Sequence, residues 1–428
     1  MKSKKRLLIC SLLSLVIGAV IGICAGFFGR ALHFAEEFRE QHYLLIVPFL
    51  GVVGVFILFL YKKVSPNSEQ GLNLAIAYNM GKADSEGKIT SAGKQRLGKY
   101  PKAYAPLKLF TNITMLFFGA STGKEGSFAA FGASIGDYVS RMSYTRQYSR
   151  VLLMAGVSAA VSGLFQAPLG GVFFALEFTA AGIMAYSALI PILISAYTAY
   201  FFSKLCGYTA FYVPVAMNIN YSVKYILLFV LCAVVFSVVG RLFAVVLFKS
   251  HNLYNKKVKN RYLGIFIAGT IMAVVLIFVH GGRYCGTGGS IISGIFSSGE
   301  FKMYDFALKF IFTIICITVG FSGGEMMPLL TIGASLGAAL SALLGLPLQL
   351  TAAAGAIAVY ASATNTLVAP IFLGVEMFGT DAVLIFALCC AVAYAFNDNV
   401  SVYTMQSHAL PHMYRRMKNS AKNKLQKK

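Results

Sequence analysis

A chain of 428 residues with 57% hydrophobic and only 12% charged residues cannot clothe a water-soluble surface, where about a quarter of residues carry charge. Its 37 basic residues against 15 acidic ones give a net charge of +22. On a soluble domain that balance suggests nucleic-acid binding. Here the Lys and Arg gather at the ends of apolar blocks and between them, which excludes that partner and points to a lipid bilayer.

The first block, Leu7–Phe28, follows Lys2–Arg6 and holds no charge. It is long enough to span and lacks a small-x-small cleavage site, so it reads as a retained helix rather than a signal peptide. Leu44–Tyr61, Ile226–Gly240, Leu263–Val279 and Ala382–Phe396 have the same texture. In all there are about a dozen apolar segments, several shorter than the ~20 residues a spanning helix needs. Basic residues mark the connections at Lys62–Lys63, Lys82–Lys102, Arg141–Arg150 and Lys249–Arg261, and the tail Arg415–Lys428. Positive charge in short loops marks the cytoplasmic side, so both termini are expected there in a multi-pass protein of the cell membrane. Cys10, Cys24, Cys206, Cys232, Cys285, Cys316, Cys389 and Cys390 fall almost entirely inside apolar runs without C-x-x-C spacing, and read as small packing residues. Trp is absent, leaving Tyr and Phe for any interfacial belt. His33, His42, His251, His280, His408 and His412 are scattered near ends and loops and suggest no site.

The chain repeats itself. Gly123-Lys-Glu-Gly and Gly323-Gly-Glu both lead into Gly-Ala-Ser-(Ile/Leu)-Gly, ending at Gly136 and Gly337. The offset is 325 − 125 = 200 at the glutamates and 333 − 132 = 201 at the following glycines. Ala155-Gly156 precedes Glu177 as Ala354-Gly355 precedes Glu376, and both of these offsets are 199. The expected organisation is an N-terminal transmembrane repeat over 1–210, a C-terminal one over 220–413 and a basic cytoplasmic tail over 414–428. Transporters built this way commonly place inverted halves around a midplane site made of broken helices, and matched Gly-interrupted segments are its pointer. Here these are Gly123–Gly136 and Gly320–Gly337.

Most acidic residues, among them Glu36, Glu37, Glu40, Glu69, Asp305 and Asp398, read as members of polar connections. Glu125, Asp137, Glu177, Glu325 and Glu376 stand in apolar surroundings, where ionisable groups are expensive and usually functional. Glu125 opens a helix-like run. Unpaired N–H groups at a helix start attract anions without a fixed cation, and glycines let the backbone come close. The same N–H groups can hold the Glu125 carboxylate. Ionised, it would occupy the anion's place; protonated or outcompeted, it would swing away, linking anion and proton passage. Glu177 and Glu376 read as helix-packing or interface residues, and Asp137 is expected to meet Arg141 or Arg150. Glu325 is open between a structural and a functional role.

At these motifs the sequence resembles the CLC family of chloride channels and anion–proton exchangers. Gly123-Lys124-Glu125-Gly126 is similar to the family's Gly-Arg/Lys-Glu-Gly motif with its gating glutamate. Gly323-Gly324-Glu325-Met326-Met327-Pro328 stands in place of Gly-x-Phe-x-Pro. Tyr403, in Ser401-Val402-Tyr403-Thr404, stands in place of the anion-coordinating tyrosine. Gln166-Ala167-Pro168-Leu169 resembles the Ala-Pro-Leu segment. The resemblance covers about residues 7 to 413. It implies an all-α polytopic fold of two inverted-topology repeats with broken helices, a homodimer with one anion path per subunit, and no cofactor. The segment Glu69-Gln70-Gly71-Leu72-Asn73-Leu74 replaces Gly-Ser-Gly-Ile-Pro, so Asn73 takes the place of a chloride-binding serine. Phe178 occupies the inner proton-transfer glutamate's position. These departures resemble the fluoride-exporting branch, although Lys124 and Met327 differ from it. The resemblance therefore implies a halide transporter, fluoride favoured over chloride and exchanged for protons, with a passive chloride channel as the alternative. Its expected residues are Glu125 for gating and proton transfer, and Gly71, Asn73, Gly123, Lys124, Gly126, Glu325, Met326, Met327 and Tyr403 for the anion. No His-rich metal motif, Ser-His-Asp set or nucleotide loop suggests an enzyme.

Overall fold

A computed structural model describes residues 2–65, 71–79, 100, 103–141, 148–214 and 222–408. The basic tail 414–428, His412, Glu69, Gln70 and nearly all of the Lys82–Lys102 run lie outside them. Helices α1 (Lys2–Gln41), α2 (Tyr43–Ile46), α3 (Leu50–Val64), α4 (Leu72–Asn79) and α5 (Tyr104–Phe117) lead to α6 (Glu125–Ser140), α7 (Ser149–Phe165), α8 (Pro168–Glu177) and α9 (Leu189–Leu205). The second half runs α10 (Val223–Lys257), α11 (Arg261–Phe278), α12 (Gly289–Ser297), α13 (Asp305–Val319), α14 (Met326–Leu344), α15 (Leu348–Thr364), α16 (Val368–Phe378) and α17 (Val383–Ala395). Two short strands, β1 (Ala180–Ala181) and β2 (Ser407–His408), pair in parallel and tie the end of the described chain to the first half.

Length sorts these helices. Among the described residues six helical stretches are long and apolar enough to cross a bilayer, including Lys5–Gln41, Val223–Lys257 and Met326–Leu344. α7, α8, α15, α16 and α17 have only 10 to 17 residues. Such pieces stop inside the membrane, where their ends can be satisfied only by protein or by a water-lined cavity. The chain is therefore a multi-pass membrane protein of broken helices.

The two halves repeat each other in three dimensions. Gly136 of α6 sits so close to the Leu152 carbonyl of α7 that no side chain fits, and Gly337 of α14 meets the Thr351 carbonyl of α15 in the same way. Gly132 and Gly156 abut through backbone, as do Gly333 and Gly355. Small residues at these crossings let helix backbones touch, the usual source of helix association in lipid. α7 ends on Gln166 and α15 on Asn365, both left-handed with φ of 51° and 54°.

Three charge placements differ from the sequence expectation. Lys249–Lys257 is not a connection but the last turns of α10, a 35-residue helix that outlasts the ~20 residues of a bilayer core. Glu36, Glu37 and Glu40 lie in α1. Asp305 is fully buried, where it accepts from Arg283 Nη2 at 2.8 Å, Tyr284 Oη at 2.6 Å and the Lys302 N–H at 2.9 Å. Asp137 meets Arg141, as expected, at 2.6 Å. Among the described residues the eight cysteines are free thiols.

Candidate functional site

The two Gly-rich loops meet at the centre of the molecule. The Gly123 N–H donates to the Gly324 carbonyl at 2.6 Å and the Gly324 N–H returns to the Gly123 carbonyl at 2.8 Å, an antiparallel bridge between the halves. A Cβ on Gly324 would stand 2.7 Å from Gly126 Cα, so glycine is required at this crossing. Asn112 Nδ2 adds a bond to the Gly123 carbonyl at 3.2 Å.

The bridge corrects the register read from sequence. Its offset is 324 − 123 = 201, the value at the later glycines. Lys124 and Glu325 are therefore counterparts, each the N-cap of its helix, and Glu125 corresponds to Met326, the first residue of α14. Glu125 and Glu325 are not a symmetric pair.

Glu125 is buried, 2% exposed, at the first position of α6. Its Oε2 accepts the Lys124 N–H at 3.1 Å. The carboxylate thus occupies the end of α6 where unpaired N–H groups favour negative charge. The Lys124 ammonium turns elsewhere, to Tyr208 Oη at 3.4 Å and over the Tyr208 ring.

On the other side of the bridge a cavity of about 410 Å³ is lined by Gly71, Asn73, Gly126, Arg261, Glu325 and Tyr403, with His251, Asn252, Ser401 and Thr404 at its walls. Gly71, at a left-handed φ of 57°, opens α4 and holds Asn73 in its first turn. The Asn73 Oδ1 faces the Met405 N–H at 3.4 Å and Thr404 Oγ1 at 3.5 Å. Since a backbone N–H must meet the carbonyl end of the amide, the NH₂ donor end is left for other partners. Tyr403 is held by its own N–H to Ser401 Oγ at 3.1 Å, while the preceding Val402 N–H reaches the Ala363 carbonyl at 2.8 Å. The buried Tyr403 hydroxyl lies against the Glu325 carboxyl and the Tyr360 hydroxyl in loose contacts that fall short of full hydrogen-bond geometry. Hydroxyls held this loosely beside a cavity can turn to a ligand, an ion or water.

Of the residues expected from sequence, Gly71, Asn73, Gly126, Glu325 and Tyr403 share this cavity, and Glu125 and Gly123 stand at the bridge that bounds it. Lys124 is outside the group. The Met326 and Met327 side chains are packed in the hydrophobic core and leave only backbone at the start of α14. Tyr360 was not anticipated: a tyrosine within Ala- and Val-rich α15 has no sequence mark separating it from core. Phe178 is fully buried against Phe174, which in turn packs edge-on against Tyr403 at 6.2 Å.

Glu177 and Glu376 cap each other's repeat. The Glu177 carboxylate accepts the Val368 and Ala369 N–H groups at 3.1 and 3.0 Å, at the start of α16. Glu376 accepts the Leu169 and Gly170 N–H groups at 2.9 and 2.8 Å, at the start of α8.

The voltage-gated chloride channel family model matches residues 53–398. The chain belongs to the CLC family. Among curated relatives, a chloride/fluoride channel protein of Pseudomonas syringae pv. tomato is 29% identical over 400 residues, 91% of this chain and 84% of that one. An H⁺/Cl⁻ exchange transporter of Yersinia pestis is 22% identical over 78% of this chain and 71% of its own length. Among solved structures, the crystal structure of a CLC-type fluoride/proton antiporter matches with a TM-score of 0.89 and 33% identity, covering 94% of this chain and 98% of that one. A slow cyanobacterial Cl⁻/H⁺ antiporter matches with a TM-score of 0.79 at 20% identity over 92% and 96% of the two chains. This CLC protein thus has the two inverted repeats of broken helices expected of it, and it is an anion transporter by family.

Proposed function

We propose that this CLC protein moves fluoride in preference to chloride and exchanges it for protons, with Glu125 as the gate. The observation that carries the reading is the cavity in which a carboxyl, Glu325, shares space with Tyr403 and the Asn73 amide. Fluoride is small and strongly hydrated, so a site must offer close donors to replace water. The glutamate at the N-cap of α14 is a departure from a site that would only hold an anion. Protonated, it donates to fluoride; ionised, it repels it. The relative with 33% identity is a fluoride/proton antiporter, which favours the same choice.

In this reading the N-terminus of α6 holds ionised Glu125 across the path and releases it on protonation or when an anion takes its place. The Arg261 side, beside the Lys-rich end of α10, faces the cytoplasm by the positive-inside rule, as do both termini. The cavity with Tyr403 is then the inner vestibule and Lys124 lies on the outer side. The functional unit is a homodimer with one path per subunit.

Purified protein in liposomes loaded with potassium fluoride or potassium chloride tests this. An ion-selective electrode follows the anion and a pH electrode the protons. Fluoride release with opposing proton movement and little chloride release is expected. Brisk chloride release overturns the fluoride assignment, and anion release without proton movement makes the protein a channel.

A further inference from the structure

On the outer side, away from the cavity with Tyr403, a second cavity of about 450 Å³ is lined by Arg39, Glu40, Tyr43, His280, Arg283 and Lys302. One turn before Arg39, Glu36 projects from the same helix. Its Oε1 accepts the hydroxyl of Thr287 at 2.9 Å, and Thr287 is 3% exposed.

α1 packs on Tyr208 through Gly29 and through His33, whose ring meets the Tyr208 ring edge-on at 5.7 Å; Glu36 follows His33 by one turn, and Tyr208 holds Lys124, the residue next to Glu125. The Lys124 ammonium is within electrostatic reach of both Glu36 and Glu125 and, among the described residues, forms no direct ion pair with either. Its hydrogen bond is to Tyr208 Oη, which itself donates to the Leu164 carbonyl at 3.1 Å. The cation is thus fixed in place by a neutral group while its charge is divided. Glu36 and Glu125 also act on each other. The other groups facing Glu36 are His33, Arg39 and Glu40 from α1, Tyr208 beyond α9, and Lys309 of α13. Lys309 is saturated, donating to Ser121 Oγ at 2.9 Å and to the Gly286 and Tyr284 carbonyls at 2.7 and 3.3 Å. Arg39 is engaged with the Leu116 carbonyl at 2.6 Å. Lys124 is the cation whose charge both carboxylates share.

We propose that Glu36 is a positioning residue of the outer gate: by drawing on Lys124, it sets the outside pH at which Glu125 takes up and releases its proton. The proposal rests on the reading of Glu125 as the gate. Removing the Glu36 charge leaves Lys124 to Glu125 alone and removes a repulsion, so ionised Glu125 is favoured and more acid is needed to protonate it.

The test measures fluoride–proton exchange in liposomes across a range of outside pH. Glu36→Gln is expected to move the profile to lower pH by about one unit, the scale of one nearby charge, with the anion-to-proton ratio unchanged. Glu36→Asp restores the charge and is expected to return the profile most of the way. Thr287→Val, which leaves the carboxylate but removes its hydrogen bond, gives a smaller shift of the same sign and serves if Glu36→Gln does not fold. In a Glu125→Gln background, Glu36→Gln has no further effect on pH dependence. A Glu36→Gln profile that superimposes on the parent, or falls uniformly without shifting, overturns the role of Glu36. If Glu125→Gln alone keeps full proton coupling, the gate itself is wrong.

Discussion

The two repeats use one backbone for different ends, and their carboxylates show which positions symmetry governs. Glu177 and Glu376 are related by the repeat and do the same thing: each caps the short helix of the other half with two N–H bonds. At the central bridge the repeat-related positions differ in charge. Lys124 and Glu325 are both N-caps, but Lys124 turns to Tyr208 whereas Glu325 faces the cavity with Tyr403. Glu125 has Met326 as its counterpart. Carboxylates that obey the repeat hold the fold; in the proposed mechanism, those that break it mark the path. A helix N-terminus needs a negative partner wherever it is buried, so the caps are common to both halves. The proposed gate is under no such demand, so its repeat-related positions are free to differ.

The sharpest way to break this comparison is Glu125→Gln, which keeps size and hydrogen bonding but removes the charge. Proton movement in the liposome assay is expected to vanish while the protein stays folded. Undiminished coupling would return Glu125 to the role of a simple cap. The symmetric pair gives the next effect. Glu177→Ala and Glu376→Ala each strand two N–H groups, at about 1–3 kcal/mol per group. Both are expected to lower the detergent-unfolding midpoint by similar amounts without altering the ratio of anion to protons. A changed ratio in either would move that residue into the transport path. The smallest effect is expected from Tyr403→Phe. Loss of one hydroxyl contact to a charged ligand is worth about 1.5–3 kcal/mol when that contact is made. Equilibrium fluoride binding by calorimetry is expected to weaken by roughly ten-fold or more. Unchanged binding would leave the hydroxyl as an orphan of the core.

The sequence made the repeat legible because glycine is needed wherever helix backbones touch, and the spacing from Gly132 to Gly156 recurs from Gly333 to Gly355. Glu325 was legible as a carboxylate in an apolar run, whereas Gly71, Asn73 and Tyr403 were legible only through the resemblance to the CLC motifs. The pairing of Glu125 with Glu325 failed by one residue, since Gly123 and Gly324 set the register and Glu325 directly follows its glycine whereas Glu125 stands one place further on. Tyr360 was hidden because an aromatic residue in a buried helix normally serves packing. Glu36 and Asp305 were hidden by their polar neighbours: a run such as Glu36-Glu37 suggests a solvated loop, whereas α1 continues through it and places Glu36 against Thr287. The Lys-rich end of α10 was misjudged as a loop on the same ground.

The paired backbone bonds between Gly123 and Gly324 carry a mechanical consequence. Water cannot easily replace them in a dry interior, and no side chain can be inserted at the crossing to act as a spacer. The starts of α6 and α14 therefore form one rigid joint. A transport cycle that leaves these two bonds intact would run through side-chain rotations around the crossing rather than by rocking one half over the other about it. Such a machine is throttled by how fast a few torsions flip and protons arrive, and its throughput can be retuned by single substitutions without redesigning its frame.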